Sequence, residues 1–493
     1  MIKRLLILLI LLILSLLLIA VPCWGANYTI TDIEHTVDGG ANESGRGRCN
    51  AGYESYAAGP WGVCTSADTI IIEGGARGDL KFENFDGVDD YITITNEDST
   101  RVVITDSGEE TGTGILILNA CNYVDLRGDG LSTNDWVTNC VDASCYGIKV
   151  IAGSYQTNAG VRVKGESSNI KIGYIEYDGT NGGGLQVGIR VQDGTGLDND
   201  YTFDRFEIHH NYIHDTQYSG MYLGHNCPLL NCTDAVDNDP YVSNFSIYDN
   251  LLEDMGSYGF SYKGIAAGST ENYIYNNTIK NTGLVYVGED YVKIGIGLSY
   301  FFAGSYASVY NNWIEKTIGP GLYIRGADHL VYNNTIVGCG TGDDENWGHG
   351  IVITEYDTMD GETRDGVVQI YDNIIVEPTR YGVFSRQTVA EGLMARNIIT
   401  EAGLGEWLNK YDPGLVEGSG SSCSSARGTL TTCPNVYQAD TDSICFTTWS
   451  DDSDYSNDDF TLCCDYNYTS IAANACGATT TPFSGVAGDF KYN

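Results

Sequence analysis

Between Phe206 and Thr400 one short pattern of apolar and polar positions returns seven times. It reads IHHNYI from Ile208, IYDNLL from Ile247, IYNNTI from Ile274, VYNNWI from Val309, VYNNTI from Val331, IYDNII from Ile370 and MARNII from Met394. The shared asparagine falls at Asn211, Asn250, Asn277, Asn312, Asn334, Asn373 and Asn397, and the smallest spacing, from Asn312 to Asn334, is 22 residues. A unit this short cannot close a core of its own and must stack on its neighbours. Strand-length, β-branched phrases between Gly-rich bends predict a strand solenoid, and the 3.6-residue period of a helical one is absent. Within each phrase the flanking Ile or Val point inward, while Tyr248, Tyr275, Tyr310, Tyr332 and Tyr371 alternate outward. Asparagine tolerates left-handed backbone and bonds its own turn, so the shared Asn is expected at the bend in that conformation, forming a ladder.

A second column of strands opens on Gly160, Gly188, Gly220, Gly259, Gly295, Gly321, Gly350 and Gly382. The first and third residues after each glycine are expected inside, and the second and fourth outside. The outward second positions read Arg162, Arg190, Tyr222, Ser261, Gly297, Tyr323, Val352 and Phe384. The fourth positions read Lys164, Gln192, Gly224, Lys263, Ser299, Arg325, Thr354 and Arg386. Long insertions at 197–204, 225–242 and 355–366 interrupt the coils, and solenoid insertions commonly shape a binding face.

These phrases, preceded by strands of the form G-apolar-x-apolar, resemble the right-handed parallel β-helix of the pectin-lyase-like superfamily over residues 68–400. The resemblance implies an all-β solenoid, and it is far more specific for fold than for reaction, since lyases, hydrolases, epimerases and non-catalytic surface proteins are implied alike. It divides the chain into a signal segment (1–25), an N-terminal cap (26–66), the β-helix (67–400) and a Cys-rich C-terminal cap (401–493).

Composition sharpens this picture. Lys3 and Arg4 precede an apolar run from Leu5 to Val21 and then PCWGA, the pattern of a secretory signal ending near Gly25, with a retained anchor as the other reading. A secreted, cell-surface or periplasmic monomer, without a membrane span after cleavage, is the expectation. Fifteen cysteines in an exported chain imply disulfides, with Cys49–Cys64, Cys140–Cys145 and Cys227–Cys232 as near pairs, and the caps are expected to be disulfide-stapled. Cys339 stands apart, at the offset where other repeats carry Thr216, Met255, Thr282 and Thr317, and is expected as a buried thiol. The formal charge is −39, with 26 Lys and Arg against 65 Asp and Glu, which excludes a nucleic-acid binder.

Against that background, six cations on one outward strip are informative. Arg162, Lys164, Arg190 and Arg386, with Tyr222, are the candidate contacts to an acidic polysaccharide. In the resembled family this column is the face implied to hold the sugar. β-Elimination from a uronate needs a neutralised carboxylate, a base at C5 and an acid for the leaving oxygen. Lys263 is the candidate base, Arg325 the carboxylate partner, and Tyr222, Tyr323 or His225 the acid. Simple neutralisation of nearby loop acids explains the same cations without function.

Calcium is the cofactor the resemblance implies, and the oxygen-rich segments Asp234–Asp239, Asp343–Glu345 and Asp451–Asp459 are its candidate ligands, although none has EF-hand spacing. Asp344 with His349 forms a fallback hydrolase pair, disfavoured because the paired acids and the GHG phrase fall within one loop and strand. His210 and His214 in HHNYIHD lie at a spacing that does not converge on an ion and read as exposed coil residues. The sequence therefore points to a β-helix that binds acidic polysaccharide and cleaves it as a lyase, with a non-catalytic adhesin-like protein or a glycoside hydrolase as the alternatives.

Overall fold

The computed structural model describes residues 69–128, 146–192, 202–224, 241–262, 269–283, 293–298, 306–325, 329–341, 348–385 and 397–404, less short gaps at 88–89, 98–99, 107–113, 154–158, 181–186, 355, 358–362, 365–366 and 401. Elsewhere it describes only strand backbones. Among the described residues there is no helix, and almost every strand belongs to one of three parallel sheets of 13, 14 and 12 strands. Each coil visits the three in the same order, a glycine-led strand, a tyrosine-bearing strand and a third strand, as in Ala159–Lys164, Ser168–Gly173 and Ile175–Asp178. The next coil then lays Val187–Val191 beside the first. The chain is a parallel β-helix, and the general preference for right-handed crossovers gives its hand.

Register, not merely composition, makes the core. Val161, Ile189, Met221, Phe260, Ile296, Leu322, Ile351 and Val383 are successive partners along the glycine-led sheet, and all are buried. Each such side chain contributes on the order of 1.5–3 kcal/mol when fully withdrawn from water. The leading glycines are required because coils approach closely there: a Cβ on Gly295 would lie 2.5 Å from the carbonyl oxygen of Gly321 and 2.7 Å from Ile314.

The asparagine ladder forms, by a different local conformation from the one expected. The left-handed residue is the one before each of the first six ladder asparagines: His210, Asp249, Asn276, Asn311, Asn333 and Asp372 have φ between 53° and 57°. That division of labour explains the tandem, because the first residue turns the chain and the second turns its amide into the bend. Nδ2 of Asn211, Asn250, Asn277, Asn312, Asn334 and Asn373 donates to Oδ1 of the next asparagine at 2.9–3.0 Å, ending on Asn397. At the other end Asn211 Oδ1 accepts from the main-chain N–H of Ile175 at 3.2 Å.

Outside the bend, the five tyrosines stack with centroids 4.9–5.2 Å apart and interplanar angles of 3–8°. Cys339 is fully buried as a free thiol. Parallel pairing also reaches Asn27–Ile30 and His35–Asp38 at one end, and Leu430–Thr432 and Val436–Gln438 at the other. The signal segment, the three cysteine pairs and the candidate calcium loops lie outside the described residues.

Candidate functional site

The connections that enter and leave the glycine-led strands carry most of the variable chain length. From the Asn211 coil onward the bend between the tyrosine and third strands holds only the two-residue tandem. A face whose flanks tolerate insertion, on a scaffold fixed elsewhere by the ladder, is where a solenoid can evolve recognition.

The register confirms the outward second-position column: Arg162 pairs with Arg190, Arg190 with Tyr222, Tyr222 with Ser261, Ser261 with Gly297 and Gly297 with Tyr323. Its first part is packed, not displayed. Arg162 is 6% exposed and its Nε donates to the main-chain oxygen of Gln192 at 3.4 Å; Tyr222 is 4% exposed. Arg190 Nε donates to Gln192 Oε1 at 2.6 Å, with Nη2 bonded to the same oxygen, and its guanidinium lies 5.6 Å from the Tyr222 ring centroid. Burial lowers the Arg190 pKa from its ordinary value, against the opposing influence of Tyr222 and Tyr218. Arg162 and Tyr222 therefore depart from the expectation of open contact residues, because Gln192 and the cation–π geometry draw the strip together.

Further along, Ser261 and Gly297 leave the column without large side chains, and the Tyr258 ring fills part of that space: a Cβ on Gly297 would stand 3.2 Å from its Cε1. Tyr258 meets Tyr218 edge-on at 6.4 Å. Beyond this gap the strand Leu322–Arg325 presents Tyr323 and Arg325, both half-buried, as alternate residues on one outer face. By strand geometry their Cα atoms stand roughly 6.5–7 Å apart. His329, fully buried, accepts from the Ala307 N–H at 3.1 Å and so ties this coil to the one before it. Lys164 is half-buried at the fourth position, in register with Asn119. Lys263, His225 and Arg386 lie outside the described residues.

One expectation about histidines is corrected. His349 is fully buried, stacked 4.2 Å from Phe384, with Nδ1 accepting from the Tyr381 N–H at 3.4 Å, while Asp344, its partner in the fallback pair, lies outside the described residues. His214 is not an exposed coil residue. It lies on the third sheet with Nδ1 2.7 Å from Asp215 and Nε2 3.4 Å from Glu176. The coil register, invisible in the spacing, puts Asp178 beside His214 and Lys149 beside Glu176.

Glu176, Asp178 and His214 bring ligand atoms within 4.8 Å of one another. Lys149 Nζ already sits 2.7 Å from Glu176 and 2.6 Å from Asp178, and Arg101 pairs with Glu176, so the cluster is a neutralised ion network. Burial would raise the Glu176 pKa, but hydrogen bonds from His214 and Lys149 and the Arg101 charge hold it at about 2. Asp178 reaches about 2 by the same opposition of burial and Lys149. Burial would lower His214, and the bonds to Glu176 and Asp215 raise it instead.

Sequence reasoning placed Gln192 in the outer column without a role, and missed Tyr218 and Tyr258, whose contacts arise between coils, and the His209–His210 pair. The two Nδ1 atoms of that pair lie 3.0 Å apart. Burial first, then the charges of His210, Lys171 and Arg127, pushes the His209 pKa down to about 3, and burial pushes His210 to about 4. The available signal was a broken repeat, since this coil alone replaces Tyr-Asn or Tyr-Asp with His-His.

No family model and no curated protein matches the chain. Among solved structures it is similar to an alginate lyase of Paenibacillus sp. at 14% identity, covering 76% of this chain and 91% of that one, with a TM-score of 0.36. The A-module of the mannuronan C-5 epimerase AlgE6 of Azotobacter vinelandii aligns at 12% identity over 76% and 91%, with a TM-score of 0.41. The catalytic unit of an α-1,3-glucanase of Streptomyces thermodiastaticus aligns at 15% over 78% and 65%, with a TM-score of 0.39. The assignment of this chain as a parallel β-helix rests on its own strand register.

Proposed function

We propose that the outer face of the glycine-led sheet binds an acidic polysaccharide and that this chain is a carbohydrate-active enzyme of lyase type. The observation that carries the reading is the pairing of Tyr323 with Arg325 on one outer strand face, downstream of the packed Arg162, Arg190 and Gln192 group, in a chain of charge −39. A guanidinium binds a carboxylate through two parallel hydrogen bonds, and a phenol two residues away can stack on a sugar or donate a proton to a leaving oxygen. Tyr323 takes that role ahead of Tyr222, which is covered and engaged by Arg190.

In this reading Arg325 neutralises the uronate carboxylate, which acidifies the C5 proton; Lys263 removes that proton; and Tyr323 or His225 protonates the departing oxygen. Lys164, Arg190 and Arg386 extend the positive strip along the polymer. An ultraviolet scan of the purified protein against pectate, alginate and chondroitin tests it. Rising absorbance from unsaturated uronate is expected on one of them, and a flat trace on all three, with retained binding, assigns the chain to non-catalytic surface proteins.

A further inference from the structure

We propose that His209 and His210 form a copper(II) site on the outer face of the tyrosine sheet. Two nitrogens 3.0 Å apart, each about 2.0–2.1 Å from a shared ion, subtend an angle of roughly 90° there. That is the cis angle of a tetragonal centre, whereas a tetrahedral ion such as zinc would need the nitrogens several tenths of an ångström further apart. Imidazole nitrogens in a tetragonal arrangement suit copper(II), which also leads the divalent series in affinity.

The pair is held in place from several directions. The His209 ring stacks on Tyr248 at 5.1 Å and 16°, and it overlies Gly173, where a Cβ would come 2.6 Å from its Cε1. The His210 ring stacks on Tyr174 at 5.0 Å and 17°. His210 also adopts the left-handed backbone, with φ of 54°, at the position where five later coils have Asp249, Asn276, Asn311, Asn333 and Asp372. Histidine is among the residues that tolerate this conformation, so the turn and the ring pair are compatible.

The far side of the pair is equipped as well. His210 Nε2 stands 3.7 Å from Asp249 Oδ2, which suits the carboxylate that orients a metal-bound imidazole from its other nitrogen. Near His209, Lys171 is paired with Glu207 at 3.1 Å and Arg127 with Asp125 at 3.5 Å, so neighbouring cations are partly compensated. One imidazole now donates its Nδ1 proton to the other. Capture of the ion transfers that proton to Nε2 of the same ring, both Nδ1 lone pairs then face the metal, no proton is released, and water completes the coordination.

The test is calorimetric titration of the full chain with copper(II) chloride at neutral pH, with electron paramagnetic resonance of the first equivalent. Wild type should take up one tightly bound copper with a two-nitrogen tetragonal signature and bind zinc chloride at least 10-fold more weakly. The double variant His209→Tyr and His210→Asn restores what the other coils carry, so it should keep or raise the metal-free melting temperature while losing at least 10-fold in affinity for that first copper. Asp249→Asn should weaken binding about 10-fold, and His214→Gln should leave it unchanged. An unaltered first copper in the double variant overturns the site, and zinc binding as tight as copper overturns the choice of metal.

Discussion

The side-chain nitrogen of Asn334 lies 3.0 Å from Oδ1 of Asn373, and the main-chain N–H of Asn334 donates to the same oxygen, also at 3.0 Å. Its own Oδ1 receives the equivalent two bonds from Asn312. Replacing Asn334 with Val keeps its main-chain bond to Asn373 but removes the other three and strands the buried Asn312 N–H, so it should cost about 3 kcal/mol, the upper end for an unsatisfied buried donor. A denaturation curve matching wild type would show that the ladder carries no stability at this rung.

Acid should weaken the protein through the third-sheet ion network. Glu176 and Asp178 have folded pKa values near 2, below their ordinary 4.5 and 3.8. A depressed folded value gives stability that is present above the unfolded pKa and lost as pH falls through the folded one. His214 has the opposite sign: its raised value gives stability present below 6.5 that is lost as pH rises through the folded value. Urea midpoints should drop more steeply for wild type than for Glu176→Gln between about pH 5 and pH 2. Parallel profiles would remove Glu176 as the source.

Arg325→Ala should weaken binding to acidic polysaccharide much more than to neutral polysaccharide, and the difference should shrink with salt because exposed charges are screened over about 8–10 Å at physiological ionic strength. Arg205→Ala is the control, since Arg205 is 63% exposed and lies on the tyrosine sheet. Equal, small losses for both would reduce the strip to charge balance. Lys263→Ala should instead spare binding and lower turnover, the signature of an interaction made in the transition state.

Cys339 should resist thiol reagents in the native protein. Burial raises its pKa to about 11, so the reactive thiolate is scarce even before access is considered. Labelling by an aromatic disulfide near pH 8 should be absent until denaturant is added; rapid native labelling would contradict its place in the core.

The solenoid was legible because its rules are local and repeated. A period-2 alternation and a recurring Asn fixed which side chains of Ile274, Tyr275 and Asn277 go where, and the buried thiol of Cys339 followed from its offset alone. The site was less legible because its contacts are made between coils. Arg162 meets Gln192 and His214 meets Glu176, at separations of 30 and 38 residues set by the lengths of intervening loops. Spacing within one phrase could not show them, and it placed the left-handed residue one position late for the same reason: it identified the tandem without its division of roles.

The ladder starts at Asn211, and the bend before it is closed by Ile175, which only donates to the first rung. Among the described residues the solenoid thus has two unlike stretches, one zipped along its bend by asparagines and one with no such ladder, and residues 129–145 fall between the second and third strands of one coil of the latter. In a structure where each coil touches only its neighbours, cooperativity is passed from coil to coil, and the boundary near Ile175 is a seam. Under mild denaturant the coils before it should exchange their amide hydrogens as one unit while those from Asn211 to Asn397 stay protected as another, so that unfolding enters this protein from one end.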